Sequence, residues 1–400
     1  MKKEQHNHPS MDIPPPVTDA QRHAMYPEVK HDDRARLNFI AAGYRVAANL
    51  LTPGNALVYE KRVKPNFETE HKRSPKNRQE VRQAMNLDPF HNTWGALRRN
   101  LMELRQQTGR NVVLKQNYEL ANKAAKLNEQ SPNLELDDSL QIPSYVKDVD
   151  HHCMPGSYYT ELVDGDVGPA ANYDLGFFVT TAGSIGGLCD GAGQAVTSWV
   201  KHNYSGFKPK RMLDIGVAAG HSILPIAQAF PEMEITAIDV SSPMLRYAHA
   251  RAKSLGIENI KFIQMSGEDL SRFSDQHFDW VQSSVFLHEL SAKALPKILS
   301  ESYRVLNDKG LSLHVEQPQY DDSMPVFEQF MRDWDAYNNN EPFWSAMHAT
   351  DLDEALVSSG FKKDAIFHAS LKAAVESATT QVKEDYGRAP AWHAYGAWKT

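Results

Sequence analysis

The ten residues Arg211–Gly220, RMLDIGVAAG, constrain the fold of this chain more than any other stretch. Met212 to Ile215 read as a short buried strand that carries one carboxylate, Asp214. Gly216 and Gly220 bracket a tight turn. An apolar run of helical spacing comes next, with Ile223, Leu224, Ile226, Ala227 and Phe230. Strand, glycine turn and helix in that order open a doubly wound α/β fold. Glycine is needed where the chain turns sharply and a ligand must approach the backbone closely. The free N–H groups of the helix start then point at that ligand.

The dinucleotide pattern G-x-G-x-x-G needs glycine at positions 216, 218 and 221. The chain has Gly216, Ala218 and His221, so that pattern fails twice. Acid-x-G-x-G-x-G fits better: Asp214, Gly216 and Gly220 match, and Ala218 is a mild departure. The segment resembles motif I of the class I methyltransferases that depend on S-adenosylmethionine (SAM). The residues beyond Gly220 keep the order of that family. Glu234 to Ile238 make a second strand ending in Asp239, 19 residues after Gly220 and placed to accept hydrogen bonds from ribose hydroxyls. Ser242-Pro243 reads as an N-cap and first helical position, and Gly256 as the helix stop. Ile260–Gln264 is a third strand and Phe278–Gln282 a fourth. Leu295, Ile298, Leu299, Ser302, Val305 and Leu306 form the buried stripe of the next helix. Leu311–Val315 is a fifth strand, and Ala365–Leu371 with Trp392–Trp398 a closing hairpin.

The resemblance covers about residues 205–400. It implies a Rossmann-like class I methyltransferase sheet, mostly parallel with an antiparallel last strand, joined to a mostly helical N-terminal domain. It implies SAM as cofactor, held by Asp214, Gly216, Ala218, Gly220, His221, Asp239, Val240, Met244, Ser266, Gly267, Glu268 and Ser283. Where the family most often has Asp to read the adenine amino group, this chain has Ser266. That contact is left between Glu268, Asp269 and backbone. After the fourth strand, His288-Glu289 occupies the place where plant-type O-methyltransferases carry a catalytic histidine followed by an acid. An imidazole there can take a proton from a phenol or thiol. A structural histidine at that position is equally familiar from quinone-biosynthesis methyltransferases. Glu289, its immediate neighbour, would point elsewhere on a helix.

The expected acceptor is a small molecule, methylated at oxygen, with sulfur, nitrogen and carbon as alternatives. A SAM-binding protein without catalysis is the other class of reading. Residues 316–348 are dense in aromatics, and Trp334 and Tyr337 are candidates for an acceptor wall; packing onto the N-terminal domain is the competing account. Tyr158 and Tyr159 are further acceptor-pocket candidates. His151-His152-Cys153 lacks a partner pair at metal-ligand spacing, so no metal is expected.

Four segments are expected: a flexible tail (1–30), a helical domain (31–145) that in the resembling enzymes pairs two copies and roofs the acceptor, covering helices (146–204), and the cofactor domain (205–400). The tail is polar and Pro-rich. A helix from Arg34 should stop at Thr52-Pro53-Gly54. Two helices should span Arg78–Gln107, broken near Asp88-Pro89, and another Asn111–Leu127. Ser131–Tyr145 reads as a linker. The net charge of −7 argues against a nucleic-acid surface over the whole protein. Residues 1–150 hold 23 Lys and Arg against 19 Asp and Glu, an excess too small to argue for RNA. Two cysteines, no membrane-length apolar run and no signal-peptide core point to a cytoplasmic enzyme.

Overall fold

An eight-stranded sheet of order β1-β4-β3-β2-β5-β6-β8-β7 organises the chain. The computed structural model describes residues 16–372 and 391–400. Its strands are β1 (Leu134–Glu135), β2 (Arg211–Ile215), β3 (Glu234–Asp239), β4 (Ile260–Gln264), β5 (Phe278–Ser284), β6 (Leu306–Glu316), β7 (Ile366–Lys372) and β8 (Ala391–Trp398). Pairings from β1 through β6 are parallel, and β8 runs antiparallel to both β6 and β7.

The period of two along β2 explains why this segment is central. Met212 packs into one apolar layer with Ile223, Ile235 and Trp280. Leu213 and Ile215 pack into the opposite layer with Ile238, Ile263 and Ile298. Burial on both faces is what a central strand of a parallel sheet covered by helices shows. Strand order reverses at β2, with β3 on one side and β5 on the other. The carboxyl ends at such a reversal form a crevice for ligands. Asp214 is in register with Ala237, two residues before Asp239, so both acids reach the same crevice.

Several local expectations give way to the structure. The helix from His31 does not stop at Pro53. It continues to His71, passing through π-helical stretches at Ala47–Leu51 and Tyr59–Val63. Pro53 and Pro65 each lie just after one of these stretches. The wider turn accommodates a residue that cannot donate to the usual acceptor. The break at Asp88-Pro89 does occur, with Asp88 capping Phe90 and His91 N–H groups. The helix it opens runs unbroken from Pro89 to Leu114, and the next is Asn117–Asn128. Gly109 serves a close crossing there: a Cβ would lie 2.3 Å from Asn172 Oδ1 on the helix Gly168–Thr180. The segment read as a linker supplies β1, an edge strand of the sheet. The cap of the helix Ser242–Ser254 is Ser241, whose hydroxyl accepts from Met244 N–H, rather than Ser242.

Residues 16–30 are docked, not a loose tail. Met25 is fully buried, and His23 donates from Nε2 to Asp174 at 2.8 Å. Asp174, on the helix Gly168–Thr180, also accepts from His221 (2.7 Å) and Tyr247 (2.6 Å). Burial pushes its carboxyl up, but Arg251, His221 and His23 outweigh that and hold it well below the usual range. Asp174→Ala strands three buried polar groups. The expected loss is about 3–5 kcal/mol in a denaturant titration, with new proteolytic cleavage within residues 16–30.

Candidate active site

The crevice opens into a cavity of about 550 Å³ walled by both halves of the chain. At its floor, Gly216 (φ +75°) and Gly220 (φ +81°) make the turn that the sequence requires. A Cβ on Gly216 would lie 2.2 Å from the Phe286 ring. Ala218 also has positive φ, +45°, which costs about 1–2 kcal/mol for a residue with a Cβ. Its N–H donates to Asp239 Oδ2 at 2.9 Å, while Ser241 N–H donates to Oδ1 at 2.9 Å. Asp239 is thereby aimed, with lone pairs left on each oxygen for a diol. Burial raises its pKa to about 6 against these donors. Burial, then the charge of Asp239, raises Asp214 to about 8, and its Oδ1 has no hydrogen-bond partner. Such an orphaned buried carboxyl fits a cationic, hydrogen-bond-donating ligand. The adenosyl sulfonium and ammonium of SAM have that chemistry.

Val240, Met244, Ser266 and Gly267 line the cavity with these acids. Gly267 lies against the sheet end, where a Cβ would meet Ile215 at 2.8 Å. Glu268 is outside the wall: it accepts from the Tyr145 hydroxyl (3.0 Å) and Lys297 (3.1 Å), and Tyr145 takes its place at the cavity. His221 touches the cavity, but its ring is committed to Asp174. Ser283, expected at the cofactor, does not reach the cavity. It is fully buried and bonded to the His314 ring of its cross-strand partner at 2.8 Å. Alternation along β5 turns Gln282 toward Asp214 and Ser283 to the other face.

His288 lies on a short 3-10 turn, Leu287–Glu289, at the cavity wall. Its Nδ1 contacts Glu316 Oε2 at 2.7 Å. Glu316, the last residue of β6, is itself fixed by N–H donation from Phe286 (2.8 Å) and Leu287 (2.6 Å). Burial pushes the imidazole down. Glu316, then Glu341 and Glu289, more than reverse this and raise it to about 9. Glu289 turns away from the ring: it accepts from the Tyr158 hydroxyl at 2.7 Å and meets His152 at 3.4 Å. His152 also meets Glu341 at 3.1 Å. Against the effect of burial, these two acids raise it to about 10. Sequence reasoning misses Glu316 and Glu341, although an acid ending a strand is the signal that marks Asp214 and Asp239. His151 and His152 serve this network.

Among the described residues, His288, Glu316 and His348 are the one group offering ligand atoms within 4.8 Å of one another. Two tetrahedral ligands on one ion lie about 3.3 Å apart. The 2.7 Å contact of His288 with Glu316 is instead a hydrogen bond.

The aromatic segment divides. Trp344 faces the cavity beside His288, ring centroids 4.7 Å apart. Trp334, Phe327 and Phe330 pack with Val58, Tyr59 and Met85 of the N-terminal helices, outside the cavity. Tyr337 is exposed beneath Arg82. Tyr158 lines the cavity; Tyr159 does not, and its hydroxyl reaches Lys147 carbonyl oxygen at 3.4 Å.

Residues 212–310 match the family model described as "Methyltransferase domain". The chain is 32% identical over 121 residues to the uncharacterized methyltransferase YcgJ of Bacillus subtilis, covering 30% of this chain and 45% of that protein. It is 29% identical over 120 residues to ribosomal RNA small subunit methyltransferase G of Lactococcus lactis subsp. cremoris, covering 29% and 48%. The chain thus spans about half the length of the curated relatives it matches. A putative O-methyltransferase from Nostoc punctiforme is 19% identical, with a TM-score of 0.39 over 56% of this chain and 60% of that one.

Asp214, at about 8, holds its proton at pH 7, and a cation bound against it favours the carboxylate. Binding then releases a proton. SAM affinity is expected to rise with pH between about 6 and about 8, the values of Asp239 and Asp214. Calorimetry in two buffers of different ionisation enthalpy reads the release, and Asp214→Asn should remove most of it. Trp334→Ala is expected to lower stability by about 2 kcal/mol and to leave SAM affinity unchanged. The strand order, the glycine bend and both acids surround residues 212–310, the segment that matches the methyltransferase family model.

Proposed function

We propose that the chain is a small-molecule O-methyltransferase in which His288 is the general base and Glu316 holds it. The observation that carries the reading is the His288–Glu316 contact at the wall of the cavity that Asp214 and Asp239 also line. SAM supplies a methyl group on a cationic sulfur. The protein's part is to hold an acceptor oxygen in line with that methyl, to exclude water, and to receive the acceptor's proton. With Nδ1 turned to Glu316, Nε2 is the atom available to take it. Glu316 stabilises the imidazolium that results, and its two backbone donors keep its carboxylate from swinging.

His288 is raised to about 9, so at neutral pH it carries a proton in the free protein. A bound sulfonium opposes that charge and favours the neutral ring that a base requires. The relation to ribosomal RNA enzymes is confined to under a third of this chain. A recessed cavity with an aromatic and acidic wall favours a small acceptor over a polynucleotide. The open cavity beside His288 supports this reading over a non-catalytic SAM binder.

His288→Asn is expected to lower kcat by about 10²–10⁴-fold with SAM affinity retained. The wild-type kcat/KM for SAM should climb with pH toward about 9, the free-protein value of His288, and kcat should level at lower pH. Incubation with methyl-labelled SAM and a metabolite extract identifies the acceptor. A pH-independent His288→Asn enzyme with wild-type turnover would remove the histidine from the mechanism.

A further inference from the structure

Arg105 is the only lysine or arginine among the described residues that line the cavity. It lies on the helix Pro89–Leu114, on the same face as Met102 and Arg98. Arg98 pairs with Asp335 at 2.8 Å. Arg105 has no counterpart: among the described residues no carboxylate pairs with it. Its Nη2 reaches the backbone carbonyls of Asn172 and Tyr173 at 3.4 and 3.3 Å. Nε and Nη1 are buried and make no hydrogen bond. A buried guanidinium without a carboxylate partner is strongly unfavourable, and proteins rarely keep one without a use.

Its seat is built. The guanidinium lies on Gly176 of the helix Gly168–Thr180, where a Cβ would stand 1.9 Å from both Nε and Nη2. Any side chain at 176 would displace it. The same wall carries five carboxyl side chains, Asp214, Asp239, Glu289, Asp335 and Glu341. That surround suits a sulfonium. His152 and His288 are matched by neighbouring acids, which leaves Arg105, among the described residues, as the lining cation that no carboxylate neutralises.

We propose that Arg105 binds a carboxylate carried by the methyl acceptor, in the forked two-point geometry that guanidinium and carboxylate share. This rests on the methyltransferase reading above and narrows it: the acceptor is an acid, neutralised at one end by Arg105 and presented at the other to His288. Tyr173, Phe177 and Trp344 line the same cavity with flat surfaces, which suits an aromatic acid. The acceptor, rather than SAM's own carboxylate, is favoured by placement. The face of Met102 and Arg105 continues through Arg98 to Asp335, and Asp335 and Asn339 line the same cavity.

The test uses full-length protein saturated with S-adenosylhomocysteine, titrated with benzoate and with its neutral isostere benzamide, and read by melting temperature. Benzoate should raise the melting temperature and benzamide should not. Arg105→Met should abolish the benzoate shift, and Arg105→Lys should demand about tenfold more benzoate. Gly176→Ala, which moves the guanidinium without removing it, should reproduce the loss. Arg105→Met should melt no lower than wild type without ligand and bind SAM within about twofold of it. The proposal is overturned by a benzoate shift that survives Arg105→Met, or by none in the wild type. A loss of SAM affinity of about tenfold or more in Arg105→Met also overturns it, because the guanidinium would then serve the cofactor's carboxylate. Wild-type protein that binds no SAM at all indicts the methyltransferase reading instead, and benzoate titrated without nucleoside then tests Arg105 separately.

Discussion

One buried carboxylate, Asp174, joins the parts of this protein that must agree for a site to exist. His23 brings the segment before the first helix to it, and His221 the turn just past the glycine bend. Tyr247 brings the helix that starts just after Asp239. Water cannot substitute at such depth, so the carboxylate is satisfied only when all of these elements are in place. Neutral His221, held at about 4 by burial and by Arg251, donates to Asp174 and takes no charge of its own into the core. The cover over the cofactor crevice and the bend beneath it are therefore positioned by one shared acceptor.

The charges of the cavity form a second level of design. Asp214 and Asp239 are raised by burial, whereas His288 and His152 are raised by neighbouring acids. The free protein thus holds a proton on Asp214 as well as on His288 and His152 near neutrality. In the reaction proposed above, a cationic ligand would favour the carboxylate of Asp214 and the neutral ring of His288, so a single charge would serve both binding and proton acceptance. Glu289, held down to about 2 by His151 and His152 against the effect of burial, remains a fixed negative charge through this exchange.

What can be read from the chain depends on the range of the interactions involved. The strand–bend–helix at 211–229, the acids closing β2 and β3, the break at Asp88-Pro89 and the final hairpin are set by near neighbours, and a linear pattern records them. The partners Glu316 and Glu341 of His288, and the solitude of Arg105, depend on elements far apart in sequence, and no spacing rule connects those. Pro53 misleads for a different reason: a proline ends a regular helix, but a preceding π turn removes the conflict without leaving a composition signal. For Trp334 and Ser283 the pattern gives the right segment and the wrong face. Which face a residue takes is set by the partner element, Met85 and Tyr59 for one and His314 for the other.

The two-residue strand β1 has a consequence for how such a chain can be cut or recombined. Its backbone completes the exposed side of β4 through Leu134 opposite Phe262 and Glu135 opposite Ile263, and Glu135 is also clasped by Arg272 and Lys261. A piece beginning at the first residue that matches the family would present an open strand margin to any passing chain, a template for self-association. Exchange of modules between relatives would have to carry residues 131–204 along with the nucleotide-binding half. The seam between the halves of this protein lies upstream of the point where its likeness to the family begins.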